Sequence, residues 1–540
     1  MFHFETGFAM KTILLALLLF LPMNIYSQGS GISQEFPEMN VKVLEPDDIL
    51  KIKPGGTKDQ LQEAEDAGFD TGKSWQIIPP QGRSVVKFDF QQKKLIEFMP
   101  STRIQGIAKE AIKSVPKWLQ PALYDNMRKL TTAHQFAYAD QIMDAPELWR
   151  DEIAFCIANL AVNTLQSLAP EILNINAEYI YKVDPDLRYV DLVENGSVES
   201  GDWHTTTKYR VIKEGDTVWV EIPYEIYYWW IVMPKLSDEH PSMGGSVNND
   251  FWRRHIYENA DEGYPVLRDV MMDCEVMWDL KPHKWKNEDQ DENKIPFADS
   301  IMAVGTVGRW VAHNLEKKND DNVRPVQPNQ ILHHHNGNCG ELQDLLNAGC
   351  RTALLPVSSV GSYPGDHVWN ELWWDGEWWY YQVSWDCGPT ILNQTQTYID
   401  KGLIHVTRPD MMRYMVNEHY NPVCTLDILT RDQRGNPVDG AEVTFFSGSY
   451  QEPHGDQLYF GTSIYTDADG RAKVLLGADI NYGLRVDSKI GSNPAENNRI
   501  FGIRHDQALE GASLESNITI PGQMPQQAVL ATGVHALNHQ

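Results

Sequence analysis

The sequence predicts a multidomain α+β protein: a helical and mixed N-terminal region, an α+β core, and a C-terminal β-sandwich. Three observations predict it. Apolar residues recur at helical spacing through about 100–180, as in "RDEIAFCIANLAVNTL". An aromatic-rich hairpin pattern, "HVWNELWWDGEWWYYQVSWD", lies just downstream of a helical pattern that opens at Cys339 and is stopped by Pro356. From about 423 onward, short strand runs alternate with polar turns.

Length bounds the same answer, since 540 residues suggest about three to four domains. Hydrophobic residues make up 42%, enough for sizeable cores. The net charge of -28 argues against nucleic acid, whose phosphates need a clustered basic surface. Residues 1–28 read as a signal peptide. Lys11 flanks the short apolar run "ILLALLLFLP", and Ser27 supplies a small residue for cleavage. No later run is long enough to span a bilayer, so the mature chain is expected to lack a membrane span. The expected location is secreted, periplasmic or cell-surface. Six cysteines are widely spaced without any CxxC pair, so the fold need not depend on disulfides.

Residues 29–290 form the N-terminal region. Its first part, 29–80, is rich in Pro, Gly and charge and reads as a loose leader. Cys156 falls on the apolar face of a predicted helix and reads as core. "KYRVIKEGDTVWVEI" reads as a hairpin around Gly215, and "YEIYYWWIVMP" continues the strand-prone character as sheet core. The acidic "NEDQDEN" at 287–293 reads as a linker before the next domain, 291–420. It could hold calcium, although carboxylates alone do not define that geometry. Residues 421–521 read as a small sandwich. Within it "YTDADGRAKVLLG" is expected to form a hairpin turning at Asp469 and Gly470. Residues 522–540 read as a flexible tail.

The chemistry lies in the third segment. Asn336, Gly337 and Asn338 break structure; then Leu342, Leu345 and Leu346 recur at helical spacing. Cys339 therefore opens a helix. A helix N-terminus favours the thiolate, and its first amides can help hold an oxyanion. Downstream, Asp375-Gly376 is a strong two-residue hairpin signal. If that turn sets the register, paired positions sum to 751, and His367 faces Ser384. Asp386 projects from the same face, one diagonal step away at about 7–8 Å. The same parity admits Ser384 and Gln382, but only Asp386 carries charge. A carboxylate there would hold the imidazole tautomer. His333, His334 and His335 invite a metal reading, but adjacent residues do not converge on one ion, so no metal or cofactor is expected. His335 is close enough in sequence to reach Cys339.

Together these residues resemble the transglutaminase-like superfamily, a papain-related Cys-His-Asp group, over about 330–392. Cys339 opens a helix that reaches Arg351 and then Pro356. "HVWNE" at His367–Glu371 resembles the family's histidine strand, and a hairpin leads to Asp386 with Pro389-Thr390 behind it. The resemblance implies Cys339 as nucleophile, His367 as general base and acid, and Asp386 as orienter. Gln330 and Asn338 are oxyanion candidates, and His335 and Trp369 substrate-cleft candidates. The implied reaction is acyl transfer on a peptide or protein amide through a thioester. Cross-linking members usually carry Trp after the nucleophile, where this chain has Gly340. That favours a hydrolase or amidase over a true cross-linking transglutaminase. A different class remains open, a catalytically silent binding or scaffold protein. The C-terminal segment is similar to carboxypeptidase-regulatory or Ig-like modules. Nothing in the sequence sets the oligomeric state.

Overall fold

A computed structural model describes residues 104–523, except 285–300, 316–322, 385–387, 394–401 and a few shorter gaps, with the backbone of four short strands before them. The signal segment, the acidic 287–293 stretch, most of the 522–540 tail and Asp386 lie outside the described residues. No helix among the described residues is long and apolar enough to cross a membrane.

The protein is a mixed α+β chain with several antiparallel sheets. The expected helical region contains α1 (Ile107–Lys113), α2 (Gln120–Met127), α3 (Thr132–Asp144), α4 (Arg150–Asn159), α5 (Val162–Ser167) and α6 (Glu171–Val183). Cys156 is 1% exposed on α4, and burial pushes its thiol pKa up. A three-stranded sheet follows, β5 (Val190–Asn195), β6 (His204–Lys213) and β7 (Asp216–Glu221), with the expected hairpin between β6 and β7. Four short strands precede residue 104: β1 (Ile32–Ser33), β2 (Val41–Leu44), β3 (Val85–Asp89) and β4 (Lys94–Phe98).

The run after β7 is not a strand. Tyr224–Tyr227 form helix α7, and Tyr228–Val232 a π-helical turn. Pro223 caps this start, and Tyr227, Tyr228, Trp230 and Ile231 are all buried. With Glu225 its one charged residue, the run has no polar face to betray its period, so β-prone composition misleads there.

Helices α8 (Trp252–Glu258) and α9 (Leu267–Met271) lead to α10 (Ala303–Asn314), α11 (Pro328–His334) and α12 (Cys339–Thr352). A seven-stranded antiparallel sheet lies against α12, in the order β14-β13-β9-β10-β11-β12-β8. Its members are β8 (His283–Lys284), β9 (Val357–Ser362), β10 (His367–Trp374), β11 (Glu377–Ser384), β12 (Gly388–Leu392), β13 (His405–Thr407) and β14 (Arg413–Met415). One continuous hydrophobic core runs from Ile104 to Tyr420. The N-terminal region and the segment bearing α12 therefore share an interior.

Polar bonds show how closely. Every residue from Glu341 to Thr352 is buried. Arg351, fully buried, donates to the carbonyls of Met233 at 2.9 Å and Lys235 at 2.8 Å. Tyr189 donates to Ala353 O at 2.8 Å, and Ser237 Oγ to Asp344 at 2.8 Å. A buried carbonyl without a donor costs about 1–3 kcal/mol, so these bonds fix α12 in place.

The sandwich core gathers Leu426, Ile428, Val443, Phe445, Leu484 and Leu514. One sheet holds β15 (Val423–Arg431), β18 (Arg471–Gly477) and β22 (Ser513–Thr519). The other holds β16 (Glu442–Ser447), β17 (Gln457–Tyr465), β19 (Tyr482–Ser488), β20 (Gly491–Asn493) and β21 (Phe501–Ile503). The turn at Asp469 and Gly470 thus carries the chain from β17 in one sheet to β18 in the other, and is not a hairpin. Turn chemistry marks a reversal but not which sheet receives the next strand. The segment read as a loose leader supplies an edge strand to each sheet, β1 (Ile32–Ser33) on β17 and β2 (Val41–Leu44) on β22. β3 (Val85–Asp89) and β4 (Lys94–Phe98) pair with each other.

A half-buried histidine pairs with a buried carboxylate beside the shared core. His419 Nδ1 lies 2.8 Å from Glu371 Oε1. Burial lowers the His419 pKa, but the Glu371 hydrogen bond and charge outweigh it, and the net shift is upward. A raised folded pKa contributes stability that is complete below about pH 6.5 and is lost as pH rises through the folded value. The gap in urea midpoint between wild type and His419→Phe should therefore be widest near pH 6 and shrink toward pH 9. A gap that is constant with pH would contradict this.

Candidate functional site

Cys339 is the first residue of α12, and the local sequence explains why the helix starts there. Asn338 is the N-cap, and its N–H donates to Glu341 Oε2 at 2.8 Å. An acidic residue three places into a helix satisfies one orphan amide in this way. Glu341 has a second role: Arg324 Nη2 donates to its Oε2 at 3.1 Å, and Arg324 Nε bonds its Oε1. Arg324 thereby stands over the first turn, where a Cβ on Gly340 would come within 3.3 Å of Nη2. The Arg324 pKa is raised, chiefly by the Glu341 hydrogen bond, with a smaller contribution from the charge of Cys339. A cation and a helix N-terminus both favour a thiolate.

Five described cysteines are free thiols, and only Cys339 is not buried. Burial drives the thiol pKa of Cys274 and Cys424 up to about 11 and raises those of Cys156 and Cys350 as well. Those four are held as inert thiols at neutral pH, which leaves Cys339 as the reachable nucleophile among them.

His367 opens β10. The Asp375-Gly376 turn has positive φ at both residues, 50° and 86°, as a tight hairpin of this type requires. Pairing runs from Trp374↔Glu377 to Asn370↔Tyr381, the register expected from the turn. His367 Nε2 lies 3.2 Å from Gln382 Oε1. An amide oxygen only accepts, so Nε2 is the donor in this bond. Gln382 is one of the residues that strand parity admits beside Asp386, and among the described residues it is the one bonded to the ring. Tyr380 OH also donates to Gln382 Oε1 and holds the amide in that orientation.

Two bonds join the elements that carry Cys339 and His367. Gln343 Nε2 donates to Trp369 O at 3.2 Å, and Asn370 Nδ2 donates to Gln343 O at 3.3 Å. Further along, Asn347 bonds Ser359 on β9, which is paired with Asn370, and Arg351 points to Val357, which is paired with Leu372. Helix and strand therefore run in the same direction. Cys339 precedes Gln343 by four helical residues, about 6 Å. His367 precedes Trp369 by two strand residues, about 7 Å. The Gln343 and Asn370 bonds tie the first half of α12 to the first half of β10. A cavity of about 220 Å³ opens beside the residues that follow Cys339 and His367, lined by Gly340, Val368, Arg324, Glu341, Gly361 and His405. Burial pushes the His405 pKa down to about 3, so this histidine is uncharged at neutral pH.

The remaining candidates fall as follows. Asn338 caps α12 and is half-buried, and Gln330 sits half-buried on α11. Trp369 is 1% exposed, stacks at 5.5 Å under His367 and donates its indole N–H to Tyr420 at 2.8 Å; it supports the histidine from below instead of lining a cleft. His335 turns away from Cys339. Its ring stacks 3.7 Å from Tyr264, and its Nε2 lies 3.0 Å from Asp261 Oδ2, which His333 Nδ1 approaches at 2.7 Å. The left-handed φ of 55° at His335 ends α11 and brings two near-adjacent histidines to one carboxylate, which regular strand or helix geometry would not. Arg324 was not legible in sequence, because it lies fifteen residues before Cys339 with no local pattern linking them.

Residues 296–383 match the family model described as the transglutaminase-like superfamily. No relative among curated proteins matches the chain. Among solved structures, the dioxygenase domain of a dioxygenase carbohydrate-binding protein fusion from Streptomyces sp. SirexAA-E is 10% identical, over 19% of this chain and 81% of that one, with a TM-score of 0.15. Catechol 1,2-dioxygenase from Pseudomonas arvilla C-1 is 15% identical over 20% and 55%, with a TM-score of 0.14. A streptococcal ancillary pilin is 9% identical over 31% and 62%, with a TM-score of 0.16. Likeness at this level extends neither a fold nor an activity to this chain.

Proposed function

Because residues 296–383 form a transglutaminase-like superfamily domain, we propose that the chain is an exported, cysteine-dependent amide hydrolase or acyltransferase acting on peptide or protein substrates. The observation that carries the reading is the tie between the Cys339 helix and the His367 strand through Gln343 and Asn370. Export rests on the apolar N-terminal segment of the sequence.

In this reading the Cys339 proton passes to His367 Nδ1, and the thiolate attacks the amide carbonyl carbon. Charge that develops on the carbonyl oxygen is met by the first-turn amides of α12, with Asn338 and Gln330 as side-chain candidates. The C–N bond then breaks, His367 returns its proton to the departing amine, and a thioester remains on Cys339. Water or a second amine, deprotonated by His367, attacks the thioester and releases the thiol. Asp386, two residues beyond β11 in sequence, takes the orienting role in this reading, and Gln382 holds the ring from Nε2. Gly340, where cross-linking members carry Trp, favours water as the acceptor.

Incubation with a glutamine-containing peptide and a labelled primary amine tests the reading. Release of ammonia or cleavage of the peptide, without amine incorporation and absent in Cys339→Ala, is the expected result. Amine incorporation that depends on Cys339 would move the assignment to cross-linking. Turnover that survives Cys339→Ala would overturn it.

A further inference from the structure

The sandwich carries a second cluster of ligating side chains, unrelated to Cys339. We propose that His454, Asp479 and His505 form a site for a divalent transition metal such as Zn²⁺. His454 comes from the segment between β16 and β17, Asp479 from the β18–β19 turn, and His505 from the segment after β21. Asp479 Oδ1 lies 3.2 Å from His454 Nε2 and 3.3 Å from His505 Nδ1. All three ligand atoms fall within 4.8 Å of one another. Two ligands bound at 2.0–2.1 Å to a tetrahedral ion lie about 3.3 Å apart, so both imidazole–carboxylate separations already match a shared centre.

The convergence is built into the backbone. Asn481, 8% exposed, donates through Nδ2 to His454 O at 2.9 Å and Gly455 O at 3.2 Å. Its Oδ1 accepts the His505 N–H at 2.7 Å. One buried amide thus clamps both histidine-bearing segments, while Asp479 N donates to Ala508 O at 2.6 Å. Exposed histidine–carboxylate pairs contribute little by themselves, so they do not account for a clamp of this kind.

Binding requires one adjustment. The two rings stack 4.0 Å apart at 15°, and imidazole lone pairs lie in the ring plane, so the rings must turn about χ2 to share an ion. Their side chains are 47% and 31% exposed, which leaves room to turn. His454 Nε2 also gives up its 2.8 Å contact with Asp479 O. Two imidazoles and one carboxylate select Zn²⁺, Cu²⁺ or Ni²⁺ over the oxygen-seeking Ca²⁺ and Mg²⁺. Water fills the open positions, and the bound ion ties three connecting segments at one end of the sandwich.

Calorimetric titration of chelator-treated full-length protein with Zn²⁺ tests this. Wild type should bind one equivalent at this site, and Cu²⁺ should give an electron paramagnetic resonance spectrum with two nitrogen ligands. His454→Ala and His505→Ala should each weaken that equivalent by about tenfold or more, and the double variant should abolish it. Asn481 contacts only backbone atoms of these two residues, so its clamp survives both substitutions and metal-free thermal unfolding should be unchanged. A second equivalent lost only in His333→Ala/His335→Ala would belong to the Asp261 cluster and leave the proposal intact. Failure of wild type to bind Zn²⁺ in the micromolar range, or binding identical in wild type and the His454/His505 double variant, would overturn it.

Discussion

Cys339→Ala should reduce amide turnover to less than about one part in 10³ of wild type. Among the described residues no other thiol could replace it, since the other four are buried and held protonated. His367→Ala should cost nearly as much, and the double variant little more than either single change, because a nucleophile and its base act as one unit. Cys339 is half-buried at a helix end, with the helix held by Glu341 and the bonds further along. Its truncation should leave thermal unfolding essentially unchanged. Loss of rate without loss of stability separates a chemical role from a structural one.

Trp369→Ala should destabilise the protein by about 3–5 kcal/mol, the usual cost of emptying a buried tryptophan site. The indole is 1% exposed, packs edge-on against Tyr420 at 5.2 Å and donates to its hydroxyl. Tyr420 in turn bonds Glu371 Oε1. Truncation opens a cavity and strips a donor from a buried network. Trp369→Phe keeps most of the volume and loses only the indole N–H, so about 1–2 kcal/mol is expected. Denaturant titration followed by far-ultraviolet circular dichroism reads both. Because the indole lies beneath the His367 ring, Trp369→Ala should also loosen the histidine and lower turnover under conditions where the protein stays folded. Equal stability of the alanine and phenylalanine variants would show that packing at this position carries little.

The parts of this fold that were legible in sequence are those with a local cause. A turn followed by helical periodicity placed the start of α12 at Cys339, and an Asp-Gly pair set the β10–β11 register. Other features depend on what the chain meets in space. The Tyr224–Val232 run is helical although its composition, aromatic and apolar but for Glu225, gives no period to read. Arg324 reaches α12 through Glu341, and the burial of Trp369 depends on Tyr420, about fifty residues away in sequence. The contribution of the N-terminal region was hidden for the same reason. Arg351 looked like a spacing landmark, whereas its guanidinium binds carbonyls at Met233 and Lys235, more than a hundred residues earlier. A helix so thoroughly enclosed presents its one half-exposed cysteine from a rigid base, as a nucleophile that must be held in register with a histidine requires.

Activation of the Cys339 thiol by His367 is read most directly from the pH dependence of Cys339 alkylation by iodoacetamide. Rapid labelling at neutral pH, reduced severalfold or more in His367→Ala and shifted toward the pH at which an ordinary thiol ionises, is the predicted result. Slow labelling with an ordinary thiol profile, the same in wild type and His367→Ala, would contradict it.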